Sequence, residues 1–582
     1  MTRRMLGHKD NKSFSQDQFQ SRLYFVLGAL VLIALALVAR AVDLQLLDEG
    51  FLEGQGDARF TRVAKLSANR GGIYDRNGEP LAASTPVDTV WANPPRVMRA
   101  ADQIPRLAEA LNRDQKWLTQ LITSNLDREF VYLVRHMRPS DAQQVIELKI
   151  PGVYLMREYQ RFYPAGEVTG HLLGFTRKYE DIGQEGLELA FDRWLGAQPG
   201  AKRVIQDRYG RTVEDIESIS AARPGEDLVT SIDLRIQYLA YRELKAAVQA
   251  RRAQSGSVVV LDIDTGEVLA MVNQPAYNPN DRDQVSAARY RNRAATDIFE
   301  PGSSIKPFVA AAALASGRFH PGTPIDTSPV QVGVKTFRDP HPLRNATLTS
   351  VIAKSSNVGM TRMALSLPAE SIWSTLTAFG FGQVTGSGFP GESAGLLNDP
   401  AHWGRIGTAT LSFGYGLSVT SLQLAHAYAV LGAEGIHRPV TLRRVDQPVP
   451  GERVIEERVA RELLAMMENV VSQDGTGTRA ALAGYRVAGK TGTAWKAAAG
   501  GYGTAETRKY MSIFGGVAPA SRPKLAAVVV IDEPSGGAYY AGEVAAPVFS
   551  NVLAGALRLM GVPPDGLDLL PATTLVQAGP EP

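Results

Sequence analysis

From Leu23 to Ala39 the chain runs for seventeen residues without a charge, between Arg22 and Arg40. A helix of that length is at the short end of what crosses a hydrocarbon core of about 30 Å. No polar face interrupts the run, which argues against a surface or ordinary core helix. The preceding tail carries Arg3, Arg4, Lys9, Lys12 and Arg22 against Asp10 and Asp17. Positive charge stays on the cytoplasmic side, so the body of the chain is expected outside the cytoplasm. A cleaved signal peptide is the competing reading, because Ala39-Arg-Ala41 resembles an A-x-A site. The run is long for a signal core, and Arg40 sits inside the cleavage site. The expectation is an uncleaved anchor, with residues 1–22 as a cytoplasmic tail and 23–40 crossing the membrane.

The 582 residues allow several domains, and 44% hydrophobic with 21% charged residues is ordinary globular composition. A net charge of +3, with no long basic stripe in the folded region, argues against nucleic acid as a partner. The chain has no cysteine, which excludes disulfides, thiolate zinc sites and cysteine nucleophiles. Its eight histidines include no H-x-x-x-H pair, so a histidine metal site is not expected.

After the anchor, Val42 to Phe60 reads as a helical stalk. Arg70 to Ala82 reads as a hairpin, in which Asn77-Gly78 supplies the positive φ of a tight turn. Short strands and helices, such as one around Asp141 to Leu148, continue to about Pro224 without a catalytic constellation, as a non-catalytic pedestal would. Asp233 then caps a helical pattern reaching Val248. Ser257 to Val272 reads as strand, Asp-Thr-Gly turn and strand. Asp262 and Asp264 lack the further ligands and the glycine of a calcium loop. Strands follow at Lys490–Trp495, Tyr510–Val517 and Leu525–Ile531, then a helix from Ala546 to Met560. The order helix, hairpin, helical insertion, three strands, helix gives an antiparallel sheet flanked by helices, an α+β fold. The domain expectations are a pedestal over 41–224, a catalytic domain over 225–562 and a flexible tail over 563–582.

Three short motifs lie in the catalytic part in one order: Ser303-Ser-Ile-Lys306, Ser355-Ser-Asn357 and Lys490-Thr-Gly-Thr493. Glu300-Pro-Gly-Ser303 is a turn feeding a helical run, and Pro307 fits only if the helix starts close to Ser303. Ser303 then sits at the positive end of the helix, with Lys306 one turn away on the same face. A partly buried lysine among cations can accept the serine proton. Ser355 and Asn357 are expected in a loop between helices, as a proton relay and as donor and acceptor to a substrate amide. Lys490 on an edge strand can hold a substrate carboxylate, beside Thr491. Gly492 is expected to let a substrate backbone lie close. The Thr493 N–H can complete an oxyanion hole with that of Ser303.

Three fragments imitate pieces of this pattern. Ser521-Arg-Pro-Lys524 also reads S-x-x-K, but Pro523 removes a donor and a strand follows. Ser67-Ala-Asn69 reads S-x-N, but precedes any candidate nucleophile. Gly484 to Thr491 matches G-x-x-x-x-G-K-T, yet the segment reads on as a strand with Gly492 where a P-loop helix should begin.

The order of the three motifs is the signature of penicillin-recognising enzymes. With Arg70-Gly-Gly-Ile-Tyr-Asp-Arg-Asn-Gly78, Arg161-Phe-Tyr-Pro164, Thr230-Ser-Ile-Asp-Leu-Arg-Ile-Gln237, Phe413-Gly-Tyr-Gly416 and Tyr539-Tyr-Ala-Gly-Glu-Val-Ala-Ala-Pro547, the chain resembles the class B penicillin-binding proteins, peptidoglycan D,D-transpeptidases, and most of all their division-specific FtsI-like group. Thr491 stands where many members have Ser. The resemblance implies a penicillin-binding transpeptidase fold behind an elongated mixed α/β pedestal and one transmembrane helix. It implies stem peptides ending in D-Ala-D-Ala as substrates, β-lactams as mimics, and no metal or organic cofactor. Ser303, Lys306, Ser355 and Asn357 would be catalytic; Lys490, Thr491, Gly492 and Thr493 would bind substrate. It further implies the bacterial inner membrane as location, a periplasmic catalytic domain, septal wall synthesis, and division-complex partners including a SEDS-type glycosyltransferase. An elongation-type or accessory class B enzyme is the alternative. A serine β-lactamase or β-lactam sensor on the same scaffold fits less well, since a β-lactamase needs no such pedestal and no E-x-x-L-N deacylation motif lies between Asn357 and Lys490. A D,D-carboxypeptidase, which shares the chemistry with water as acceptor, is disfavoured by the class B pedestal motifs.

Overall fold

The computed structural model describes residues 16–43, 61–66, 68–206, 212–283, 285–497, 501–504 and 506–566. The apolar run lies within a helix, Gln16–Val42. Within it, Gln20–Val42 has a mean hydropathy of 2.6 and is long enough to cross a membrane. Leu27, Leu30, Leu32, Leu35 and Leu37 are exposed along it, as side chains facing lipid would be. Most of the expected stalk, residues 44–60, lies outside the described residues. The same N-terminal unit contains an antiparallel sheet of Thr61–Leu66, Gly200–Gln206 and Thr212–Ser220, in which the middle strand is Gly200–Gln206.

The second unit begins at Asn69 and is rejoined at Pro224. Its first hairpin pairs Ile73–Tyr74 with Pro80–Ala92. Gly78 takes φ +91°, and Asp75 Oδ1 accepts from Asn77 N (2.7 Å) and Glu79 N (2.9 Å) to close the turn. Strand Pro80–Ala92 is long enough to pair both Val131–Met137 and Val153–Phe162. Leu107, Leu118, Ile122 and Val145 of the covering helices pack on Val90 and Leu133. Arg70 and Arg161, both buried, converge on the buried Glu188, at 2.7 and 2.6 Å. Asp192 takes a second bond from Arg70 at 2.7 Å.

A five-stranded antiparallel sheet organises the rest. Its order is Val268–Gln274, Ser255–Asp262, Leu525–Asp532, Tyr510–Ala518 and Ala488–Trp495, the last at the edge. Alternate residues serve opposite faces. Val258, Val260, Val529 and Ile531 pack with Ile236 and Leu244 of helix Leu234–Ala250 and Phe549 of helix Ala546–Leu559. Val259, Leu261, Val528 and Val530 share the other cluster with Phe308 of helix Lys306–Ala315 and Tyr428 of helix Ser421–Gly432. Both faces are covered, so Leu525–Ile531 reads as one apolar run rather than an alternation. Helix Lys306–Ala315 is buried from Lys306 to Leu314, which explains why its sequence is apolar all round.

The imitating fragments have structural roles. Ser521 donates to Asp565 (2.6 Å), and Lys524 pairs with Asp264. Asp262 Oδ1 accepts from Asp264 N and Thr265 N at 2.9 and 3.1 Å, a turn. Residues 484–491 lead into a strand. The expected flexible tail needs a correction at its start. Tyr485 donates to Val562 O (2.6 Å), Arg486 N to Asp565 (2.8 Å) and Gly566 N to Gly484 O (3.0 Å). The tail is therefore held as far as Gly566, by backbone bonds that composition does not reveal. Residues 567–582 lie outside the described residues.

Candidate active site

Gly302, at φ +51°, turns the chain into a 3-10 turn, Gly302–Ile305, which runs on as helix Lys306–Ala315 with Pro307 in its first turn. A proline there lacks an N–H that would have no acceptor anyway. Ser303 is half-buried, and among the described residues its hydroxyl has no hydrogen-bond partner. The turn is fixed from behind: Tyr428 donates to Ser304 O (2.8 Å) and Gly302 N to Gly414 O (3.2 Å). A Cβ at Gly414 would lie 2.0 Å from Gly302 O, so only glycine allows that approach.

Lys306 is fully buried and points at the second motif. Its Nζ donates to Ser355 O (2.6 Å), Ser355 Oγ (3.2 Å) and Asn357 Oδ1 (2.8 Å). Ser355 sits in the break between helices Leu348–Ala353 and Asn357–Leu365, at φ +61°. A left-handed serine is strained by about 1–3 kcal/mol and persists where its surroundings over-determine it. Here the lysine on its carbonyl is one restraint. Asn357 is the first residue of its helix rather than a loop residue. Ser356 caps that helix by accepting from Gly359 N at 2.9 Å.

The third motif lies on the edge strand Ala488–Trp495. Lys490 is fully buried, and its Nζ donates to Ser355 Oγ (3.0 Å), Thr491 O (3.1 Å) and Thr491 Oγ1 (3.4 Å). Two lysines thus meet on one hydroxyl. Lys496 N bonds Lys509 O on the neighbouring strand side (2.8 Å), whereas Trp495 N turns away to Tyr415 Oη (3.1 Å). The two-residue period of an antiparallel ladder then leaves the Thr493 N–H and C=O on the free edge. The Ser303 N–H, in a first helical turn, has no helical acceptor either. Thr493 Oγ1 accepts from Ala541 N (3.0 Å), and Thr491 Oγ1 bonds Thr476 Oγ1 (2.7 Å).

At Gly492 the fold supplies a packing reason for glycine. A Cβ there would meet Pro301 O at 2.8 Å and Ser304 Cβ at 3.1 Å. The missing side chain lets the strand pack on the nucleophile's own turn.

Burial drives both lysines toward the neutral amine. For Lys306 desolvation is the main cause, the neighbouring Lys490 charge adds to it, and Asp339 opposes it. The result lies well below the ordinary lysine value. Lys490 is lowered to about 7 by burial. Lys306 is accordingly suited to accept a proton and Lys490 to remain the charged partner below neutrality.

Asp339 was not legible from the motifs. It accepts from Ser356 Oγ, from Asn357 N (2.7 Å) and from Val358 N (3.1 Å), at the start of helix Asn357–Leu365. A carboxylate at a helix N-terminus satisfies donors without helical acceptors. Nothing in Arg338-Asp339-Pro340 signals this, because only the fold brings it to the second motif. Beyond the strand end, Tyr415, Trp495 and Tyr502 form an aromatic group with ring centroids 5.4–6.0 Å apart. Glu300, three residues before Ser303, is tied to it through Tyr502 Oη (2.8 Å) and Gly416 N (2.9 Å).

Comparison with known proteins agrees with this geometry. A family model for the penicillin-binding protein transpeptidase domain matches residues 256–554, and one for the penicillin-binding protein dimerisation domain matches residues 65–230. The peptidoglycan D,D-transpeptidase FtsI of Escherichia coli is 44% identical over 96% of this chain and 95% of its own. A probable peptidoglycan D,D-transpeptidase of Pseudomonas aeruginosa, PbpC, is 41% identical over 96% of this chain and 98% of its own. Among solved structures, a peptidoglycan synthetase from Bifidobacterium adolescentis is similar with a TM-score of 0.68 at 25% identity, over 87% of this chain and 98% of that one. The transpeptidase domain of penicillin-binding protein 3 from Burkholderia pseudomallei is similar with a TM-score of 0.53 at 41% identity, over 58% of this chain and 97% of that one. With both domain types present and FtsI-type relatives matched along nearly its whole length, this chain belongs to the class B penicillin-binding proteins.

Proposed function

We propose that the protein is a peptidoglycan D,D-transpeptidase that cross-links stem peptides through an acyl-serine, in septal wall synthesis. The convergence of Lys306 and Lys490 on Ser355 Oγ, with Lys306 one helical turn from a Ser303 hydroxyl that has no partner among the described residues, is the observation that carries this reading. Ser303 Oγ attacks the penultimate D-Ala carbonyl, and Lys306 takes its proton. The carbonyl oxygen becomes an oxyanion held by the Ser303 and Thr493 N–H groups. When it collapses, the C–N bond breaks and the terminal D-Ala leaves as an amine, protonated through Ser355 from the lysine pair. An amine of a neighbouring strand then attacks the ester carbon. The C–O bond breaks, the amine's proton returns to Ser303, and a new amide remains. Asn357 holds the substrate amide. Lys490 and Thr491 hold the terminal carboxylate, and Gly492 lets the strand reach the turn that carries Ser303. A β-lactam enters the same path, but its leaving amine stays attached.

The relatives' names support the septal assignment over an elongation-type or accessory role. In this reading residues 1–22 are cytoplasmic, 23–40 anchor the chain in the inner membrane, 41–224 form the pedestal and 225–562 the periplasmic transpeptidase domain. Division proteins, including a SEDS-type glycosyltransferase, are the expected partners.

The test is labelling with a fluorescent penicillin, followed by mass mapping of the adduct. Ser303 is expected to carry it, and Ser303→Ala to remove labelling from a folded protein. An adduct on Ser355 or Ser521 would overturn the assignment.

A further inference from the structure

At the far end of the catalytic strand, the Arg508 guanidinium lies over the Trp495 ring, 4.0 Å from its centroid. Among the described residues it makes no hydrogen bond and no ion pair, and its Nε is shielded from solvent yet has no partner. Its neighbours are occupied. Glu300 serves Tyr502 and Gly416. Lys509 takes Glu533 at 2.6 Å, and Lys496 takes Asp532 and Glu533, each at 2.8 Å. A stacked guanidinium is held in one plane, and here the two Nη groups, unlike Nε, are not shielded, which leaves the Nη pair open to bidentate binding of a carboxylate.

The position relative to the reaction gives the ligand its identity. Along the strand, Lys490 and Thr491 come first, Thr493 next and Trp495 last. With the terminal carboxylate of D-Ala at Lys490 and the scissile carbonyl at Thr493, the peptide preceding the scissile bond leaves toward Trp495. Two residues of strand span about 7 Å, which an extended peptide covers with the D-Ala whose carbonyl is attacked and the residue before it. Trp495 also borders a cleft of about 220 Å³ whose walls include Phe299 and Glu300, just ahead of Ser303.

We propose that Arg508, stacked on Trp495, is a specificity residue that binds a carboxylate carried by the acyl donor on the amino-terminal side of its D-Ala-D-Ala end. Stem peptides whose preceding residue bears a free side-chain carboxylate are then preferred to amidated ones, and β-lactams with an anionic acyl side chain to neutral ones. The inference rests on the transpeptidase reading, because that reading fixes the direction of the peptide.

The test uses the full chain in detergent and two penicillins that differ only in a carboxylate or a carboxamide on the acyl side chain. The second-order acylation constant of each is measured, and their ratio is the readout. Charge-assisted hydrogen bonds at a partly exposed site predict a loss of about tenfold in the anionic-to-neutral ratio for Arg508→Gln. Arg508→Lys should restore it in part, since charge survives and the planar fork does not. Trp495→Leu, which leaves the charge but removes the platform, should give a smaller loss of the same sign. An unchanged ratio in Arg508→Gln, within twofold, would overturn the inference. Failure of both penicillins to acylate Ser303 in the unaltered protein would instead overturn the transpeptidase reading, and the inference with it.

Discussion

Replacing Asp339 with Asn tests whether the second motif is held by a charge. The carboxylate uses Oδ1 for two backbone amides, Asn357 N and Val358 N, and Oδ2 for the Ser356 hydroxyl. Asparagine keeps one oxygen for the amides but faces Ser356 with an NH₂. Ser356 Oγ already accepts from Gly359 N, so it cannot simply reverse its role without crowding two donors. The loss is one charge-assisted bond plus the charge on the remaining two, about 1.5–3 kcal/mol for a buried case and about 1.5 kcal/mol at this half-buried position. Ser355 and Asn357 hold Lys306, so a loosened turn should slow acylation about tenfold. A second effect has its own sign. Asp339 raises the proton affinity of Lys306. Without the charge, Lys306 loses its proton at lower pH, so the acid limb of the acylation profile should move to lower pH while the plateau falls. Damage that only misplaces the turn lowers the plateau and leaves the limb where it was. Stopped-flow acylation with a chromogenic β-lactam across pH, beside a thermal melt of the same variant, separates the two. A plateau within twofold of the unaltered protein, or a limb that stays or moves upward, would refute the reasoning.

Lys490 is charged below about pH 7 and neutral above it. Non-covalent binding of a carboxylate-bearing β-lactam should therefore weaken as pH rises through that value, and Lys490→Arg should flatten the dependence because a guanidinium keeps its proton. A pH-independent first binding step in the unaltered protein would remove Lys490 from carboxylate recognition. In the pedestal, Glu188→Gln leaves Arg70 and Arg161 buried with Asp192 as the remaining carboxylate bonded to either, a cost of about 3–5 kcal/mol read as a lowered melting temperature of the full chain. A melt unchanged within error would mean that the pair is not held in this way. A reporter fused after Gly561 should be active in the periplasm, and activity only in the cytoplasm would reverse the orientation drawn from the tail charges.

The sheet and its helices were legible because their signals are local. Leu525–Ile531 is apolar throughout, Asp233 caps a helix of helical period, and Pro307 dates the helix start to the residues just before it. The first and third motifs were placed correctly for the same reason. Apart from Asn357, which begins a helix where a loop was expected, what was missed is long-range. Asp339 reaches the second motif from the far side of a loop and the helix Leu348–Ala353, and no spacing rule links the two. The left-handed backbone of Ser355 is no preference of serine, and the Lys306 bond to its carbonyl that helps restrain it comes from another part of the chain. That Gly492 also makes room for Ser304 and Pro301 was not visible in the motif. Asp565 pins the start of the tail through backbone N–H groups that carry no sequence signature. Arg70 and Arg161 were visible as motif residues, but that they share Glu188 was not.

An edge strand with open amides is ordinarily a template on which another molecule of the same kind can zip. In the strand Ala488–Trp495 two of those positions are plugged from within the molecule, the Thr491 carbonyl by Lys490 and the Trp495 amide by Tyr415. Among the described residues, what stays open around Thr493 is about one residue wide. A sister molecule crowded alongside therefore finds too little edge to extend a sheet, whereas a short chain end can still lodge there. Protection from self-association and preference for a peptide terminus come from the same two plugs. Tyr415→Phe, which unplugs one of them, would put both at risk together.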